Sequence, residues 1–261
     1  MKKRNKILLA IFILVVLIGG GYWYAQYFSH DSLCPVGANV ALIKVNGLIV
    51  TYSDNLYYGQ KTASSEEIVS QIERASKDEK IKMIVVSIDS HGGYPVAGEE
   101  IMNAIKRTDK PTMAVIRESG VSMGYIVATG ADVIYASEFS DVGGIGFTYS
   151  YFETEEETER GEYVDLSSAK FKDIGSYGRS LTEEEEDLIM RDVYILHDSF
   201  VEIIAKNRDL DVEYIEELAD GSSFLGKTAK EKDLIDEIGN LSTVKDWLDE
   251  GLNIEIIFCN Y

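Results

Sequence analysis

The 261 residues suffice for one sizeable domain with a core of its own, and 45% of them are hydrophobic. Forty-five acidic residues against 25 basic ones give a net charge of −20, a balance that argues against a nucleic-acid partner and against adhesion to anionic lipid. The acidic runs Glu153–Glu159 and Glu183–Asp187 read as solvated faces without the ligand spacing of a calcium loop, and neither a metal site nor a cofactor is suggested.

The chain opens with Lys2, Lys3, Arg4 and Lys6 before an uncharged stretch from Ile7 to Phe28. As a helix those 22 residues reach about 33 Å, enough for a hydrocarbon core of about 30 Å. Tyr22, Trp23, Tyr24 and Tyr27 cluster at the far end, where amphipathic rings favour the headgroup layer. A cleaved signal peptide is the rival reading, with Ile7–Ile18 as its apolar region, but no A-x-A pattern follows and Leu33 spoils a lipoprotein site before Cys34. Residues 1–28 are therefore expected to form a cytoplasmic basic flank and transmembrane anchor, 29–38 a connector, and 39–261 an extracytoplasmic domain at the cell membrane. Beyond the anchor, 21 basic residues face 45 acidic ones, a net −24. Cys34 and Cys259 lie at opposite ends of that domain, and in an oxidising compartment they either pair or remain two free thiols.

Val40–Val45 and Leu48–Thr51 flank Asn46-Gly47, a tight-turn signal. Ser64-x-x-Glu67 is a capping box that opens a helix with Ile68, Ile72 and Ala75 on one face. Met83–Ile88 has the short, β-branched character of a strand buried on both sides, and a helix starts near Pro95. Thr112–Ile116 is a second buried strand, Ser122–Gly130 a small-residue helix, and Val133–Ala136 and Ile145–Thr148 further strands. Thr182-x-x-Glu185 caps a long helical segment. Strands alternating with helices predict an α/β fold built on a parallel sheet with crossover helices.

Two segments place glycines just past a buried strand. His91-Gly92-Gly93 reads either as a tight turn or as backbone that approaches a ligand. In Gly120-Val121-Ser122-Met123-Gly124-Tyr125 a serine stands at a helix start between glycines. An N-cap explains the serine but not the glycines, which allow backbone to close around an exposed hydroxyl. The amide after such a serine is well placed to stabilise an oxyanion, helped by the helix dipole. Gly-x-Ser-x-Gly is also the nucleophile elbow of α/β-hydrolases, which need a downstream histidine. Only His197 follows Ser122, inside a helical pattern beside Asp198. A lysine is the other available base once its pKa falls from about 10.4 toward 7. Lys172, in Lys170-Phe171-Lys172-Asp173-Ile174-Gly175, lies outside any clear amphipathic element, where composition alone favours a solvated loop lysine.

Taken in order, these segments resemble the bacterial signal peptide peptidase A family of Ser–Lys serine proteases, in its short single-repeat form, over about residues 41–239. The family's D-S-P-G-G loop is similar to Asp89-Ser90-His91-Gly92-Gly93, and its A-S-G-G-Y segment to Val121-Ser122-Met123-Gly124-Tyr125. Its G-S-I-G-V strand entry resembles Gly143-Gly144-Ile145-Gly146-Phe147. Its lysine segment resembles Lys172-Asp173, then Arg179, Leu181-Thr182 and Glu185. Its final motifs resemble Asp220-Gly221 through Ala229, and then Leu234–Gly239.

The resemblance implies a Clp/crotonase-like fold, Ser122 as nucleophile, Lys172 as general base, and an oxyanion and substrate-binding cradle around Gly92, Gly93, Met123 and Gly124. It implies peptide substrates such as residual signal peptides, and a homo-oligomer whose serine and lysine come from neighbouring protomers. Ser122-Met123-Gly124 looks even more like Clp protease subunits, but their histidine has no counterpart between Ser122 and His197. Three positions depart from the family: His91 replaces a proline, Met123 a glycine and Gly144 a serine. The resemblance gives that serine a hydrogen bond to the lysine amine, so Gly144 leaves the role to Ser119, Tyr125 or a water. A silent member acting as a membrane scaffold and an esterase using Ser122 and His197 are the alternatives.

Overall fold

The computed structural model describes residues 34–53, 59–151, 166–176, 179–252 and 255–261. The expected anchor and most of the connector lie outside these residues, as does the acidic run Glu153–Glu159. Among the described residues no helix is long and apolar enough to cross a membrane.

A parallel sheet forms the frame. Strands β1 (Val40–Asn46), β4 (Met83–Ser90), β5 (Thr112–Val121) and β6 (Val133–Ala136) run side by side. The edges are β10 (Phe258–Asn260) beside β1 and β9 (Glu237–Ile238) beside β6, giving the order β10-β1-β4-β5-β6-β9. Every pairing along that path is parallel. Ile84, Val85, Val86 and Ile88 of β4 are completely buried, as a central strand covered on both faces requires.

One face carries Ile43, Val45, Val86, Ile88 and Ile116 against helices α1 (Ser65–Lys77), α2 (Pro95–Arg107) and α3 (Met123–Ala128), with the far end of α4 (Glu183–Arg208). The amphipathic spacing of α1 delivers Ile68, Ile72 and Ala75 to this core, and Ser64 caps it by accepting from the Glu67 amide at 3.4 Å. The helices α5 (Val212–Leu218) and α6 (Gly226–Glu231) extend the same cluster through Ile215, Leu218 and Ala229. The other face carries Val40, Val85, Met113 and Val115 against Val244 and Leu248 of α7 (Leu241–Leu252).

One sequence expectation holds and another needs correction. Asn46-Gly47 is a turn, with Gly47 at φ 91°, but it closes no hairpin. Both edges of β1 are already taken by β10 and β4, so β2 (Leu48–Val50) leaves the sheet and pairs in parallel with β3 (Thr62–Ser64). Ile145–Thr148 is not a strand. The strand there is β7 (Asp141–Gly143), joined to β5 and, antiparallel, to β8 (Ser223–Leu225). Gly143 at φ 93° and Gly144 at φ 55° turn the chain out of the sheet. The apolar residues that follow pack against helices instead: Ile145 is 1% exposed, and half-buried Phe147 meets Phe200 edge-on at 6.4 Å.

Cys34 and Cys259 form a disulfide with Cα atoms 4.5 Å apart, which settles the open question of their pairing and pins the start of the described chain to the edge strand β10.

Candidate active site

Ser122 stands between β5 and α3 with φ 52° and ψ −126°. That conformation costs about 1–3 kcal/mol for a residue with a Cβ, and such outliers persist only where their surroundings force them. The surroundings here are specific. The Ser122 amide donates to the Gly143 carbonyl of β7 at 2.8 Å, and its carbonyl accepts from the amides of Tyr125 and Ile126. All six residues of α3 are buried, so the helix cannot rotate to relieve the turn.

Gly92 lies directly against the serine. A Cβ added there would sit 2.9 Å from the Ser122 Cβ and 3.1 Å from its Oγ, and Gly92 has φ 107°. Only glycine fits. Gly93 and Gly124 serve close approach of backbone: a Cβ on Gly93 would lie 2.1 Å from the Ile49 carbonyl oxygen, and one on Gly124 2.7 Å from that of Ser90. The loop is held from below, since the Ser90 hydroxyl donates to the Gly47 carbonyl at 2.6 Å and accepts from the Gly92 amide at 3.0 Å. Ile49 of β2 completes the frame by donating to the Gly92 carbonyl and accepting from the Tyr94 amide. The four predicted cradle residues are thus brought together around Ser122. Among the described residues, no hydrogen bond engages the amides of Gly93 and Met123.

Met123 has a packing role that sequence reasoning did not see. Its side chain is 2% exposed and lies over Gly98 of α2, where an added Cβ would meet the methionine Cε at 2.2 Å. The glycine on α2 makes room for the side chain where the family has none. The bare pairing of an extra methionine with a mid-helix glycine was the only sequence signal for it. Exposed His91 needs no such compensation.

Lys172 lies apart from this frame. It is exposed, in the turn 169–176, and no hydrogen bond or ion pair joins it to Ser122 or to any other described side chain. What holds its turn is Arg179, whose guanidinium grips the Glu185 carboxylate with two bonds of 2.8 and 2.7 Å and donates to the Asp173 carbonyl at 2.9 Å. Glu185 is also bonded by the Thr182 amide and hydroxyl, completing the predicted capping box of α4. The Arg179 guanidinium, then the Thr182 amide, push the Glu185 carboxyl down to about 2.

Of the two side chains that the resemblance offers in place of a serine at position 144, Tyr125 is committed elsewhere: its buried hydroxyl donates to the Leu234 carbonyl at 2.7 Å, and burial pushes its ionisation well above the ordinary range. Ser119, 1% exposed, has a buried hydroxyl with no hydrogen-bond partner among the described residues. His197 sits on α4 with Nε2 3.7 Å from the Glu216 carboxylate of α5, a contact between helices that does not involve Ser122. A separate cavity of about 510 Å3 opens where β1, β4 and β5 end, lined by Lys44, Asp89, Arg117 and Glu118 among others, with its charges balanced.

A parallel sheet with a glycine-cradled serine at the end of a central strand is the Clp protease pattern, and a family model for Clp protease matches residues 48–137. The fold is Clp-like. The model for peptidase family S49 matches residues 104–255, more than half of the chain and including both Ser122 and Lys172. The chain belongs to peptidase family S49. It is similar to a putative signal peptide peptidase SppA of Enterococcus faecium, 29% identical over 84% of this chain and 65% of the relative. It also resembles a putative protease of Methanocaldococcus jannaschii, 26% identical over 97% of this chain and 84% of the relative, and the chloroplastic serine protease SPPA of Arabidopsis thaliana, 27% identical over 78% of this chain. The chain spans only 31% of the plant protein's length and just under two thirds of the E. faecium protein's.

Proposed function

We propose that the chain is a membrane-anchored serine endopeptidase of the S49 type, in which Ser122 attacks a peptide carbonyl and Lys172 takes its proton. The observation that carries this reading is the forced backbone of Ser122, with Gly92 closed against a hydroxyl that is engaged by no cap. Strain is retained at a position where a partly exposed nucleophile needs it. The unengaged amides of Gly93 and Met123 are suited to the oxyanion that forms on attack. Lys172 then returns the proton to the leaving amine, and water hydrolyses the acyl-enzyme.

Because Lys172 is exposed and tied to no described side chain, the base for each serine is proposed to come from a neighbouring copy in a homo-oligomer. Helix α4 supports this: beyond Glu185 it is buried only from Phe200 onward, and Tyr194 and Ile195 on its free half are 60% and 57% exposed. The substrates proposed are residual signal peptides and other membrane-proximal chains, brought to the site by an anchor at residues 7–28 with the catalytic domain outside the cytoplasm.

The test is hydrolysis of a quenched fluorescent peptide of apolar sequence by the full chain in detergent. Ser122→Ala and Lys172→Ala are each expected to abolish turnover with folding intact. Co-assembly of the two inactive variants is expected to restore part of it, because some interfaces then pair an intact serine with an intact lysine. Full activity of either single variant would overturn the dyad, and failure of the mixture would place both groups in one protomer. The scaffold reading has one observation in its favour, Gly144 in place of the family's serine. Labelling of Ser122 by a fluorophosphonate probe would exclude it.

A further inference from the structure

The turn that carries Lys172 is attached to the molecule in an unusual way. Its residues are a mixture of polar and apolar, most of them half-buried, but Lys172 is exposed, and among the described residues no hydrogen bond or ion pair fixes its amine. Yet the carbonyl of the very next residue, Asp173, accepts from Arg179 Nη2 at 2.9 Å, with the Asp173 carboxylate 3.6 Å from the same nitrogen. The other side of that guanidinium is locked into Glu185, which is 4% exposed and fixed by the first turn of α4. A planar fork with several donors can hold two acceptors at once in a set geometry, which a lysine ammonium cannot. The exposed pair Lys170–Glu184 ties the same turn to the same helix end, but a solvated pair of that kind contributes little.

We infer that Arg179 and Glu185 are positioning residues for catalysis: they form a clamp that sets the place of the Lys172 amine by holding the Asp173 carbonyl against the start of α4. This rests on the reading of Lys172 as the base. Its consequence is that α4, the helix proposed to pack against a neighbouring copy, carries the lysine turn with it. Assembly and placement of the base are then one mechanical event. A general base misplaced by about 1 Å loses on the order of a hundredfold in rate, so the clamp acts on the chemical step and not on substrate binding.

The test uses the full-length protein in detergent and a fluorophosphonate probe, reading the rate constant of labelling per site and the final labelled fraction separately. Arg179→Gln is expected to slow labelling per site about tenfold to a hundredfold while the final fraction stays near one. Arg179→Lys, which keeps the charge without the fork, should fall between it and the wild type. Turnover of the fluorescent peptide should lose kcat with KM within about twofold. A purely structural role would lower the labelled fraction and leave the rate of the remaining sites unchanged, and that result overturns the clamp. Lys172→Ala in the same assay keeps the two ideas apart. If it labels at the wild-type rate, the base assignment itself falls. If it is silent while Arg179→Gln labels at the wild-type rate, the clamp alone falls.

Discussion

The serine and the lysine sit in opposite physical settings. Around Ser122 every neighbour is fixed: a fully buried helix on one side, a glycine with no room for a Cβ on the other, and a β7 carbonyl receiving its amide. Around Lys172 the backbone turn is held by the Arg179 guanidinium and by the approach of Gly175 to Tyr149 and Tyr151, but the lysine amine itself is exposed. Ser122 is held in place by the fold of a single chain, whereas on the proposed reading the amine of Lys172 reaches its working position only when a neighbouring copy packs beside it. The difference separates what folding determines from what assembly determines.

The sharpest way to break the contrast is to crowd the serine. Gly92→Ala puts a methyl 2.9 Å from the Ser122 Cβ at a φ of 107°, so it should cut kcat about a hundredfold or more in the peptide assay. If activity survives, the pocket around Ser122 is softer than its packing indicates.

Next in size is the pairing of Met123 with Gly98. Met123→Ala should destabilise the chain by about 2–5 kcal/mol by leaving a cavity, and Gly98→Ala by about 1–3 kcal/mol by overfilling the same space, both read by urea denaturation. The double variant should cost less than the two together by about 1 kcal/mol or more, since each change relieves the other. Strict additivity would mean that the two residues do not share the space.

Hydrogen exchange reads the difference between the two settings directly. Amides in the buried turn of α3 are expected to exchange at least about a hundredfold more slowly than those of residues 172–175, because the latter open without disturbing the core. Equal protection would show that the lysine turn is as firmly built as the serine.

The smallest effect is acid stability. The Glu185 carboxyl has its pKa lowered from 4.5 to about 2, so its ionised form is favoured by folding. That contribution is complete above about 4.5 and is lost as pH falls toward 2. Glu185→Gln should therefore flatten the dependence of Tm on pH between those limits and leave the slope near neutrality unchanged. An unchanged acid slope would show that Arg179 does not hold this carboxylate in solution.

Much of this arrangement was legible in the residues. Met83–Ile88 and Thr112–Ile116 read as central strands because β-branched runs with no polar face have nowhere else to go, and both capping serine and threonine signals marked true helix starts. The glycine pattern around Ser122 pointed to close backbone approach, and the structure gives each glycine a neighbour that requires it. What the residues did not show was long-range. Asn46-Gly47 is local turn chemistry, but whether a hairpin follows depends on β10, more than two hundred residues away, having claimed the edge of β1. Ile145–Thr148 has strand-like residues, yet two left-handed glycines before it take the chain off the sheet. Lys172 had no physical signature of its own. Its only marker was family resemblance, because its environment is supplied by Arg179, Asp173 and Glu185 and not by the periodicity of its segment.

The bond between Cys34 and Cys259 has a practical consequence for a molecule read as a protease. A single nick anywhere between those two residues, whether made by another enzyme or by a second copy of this one, leaves both fragments covalently attached. On a non-reducing gel the cut molecule runs as one band, and only a thiol reagent lets the pieces part. A single self-inflicted cut between the two cysteines would therefore stay hidden in every preparation analysed without reductant.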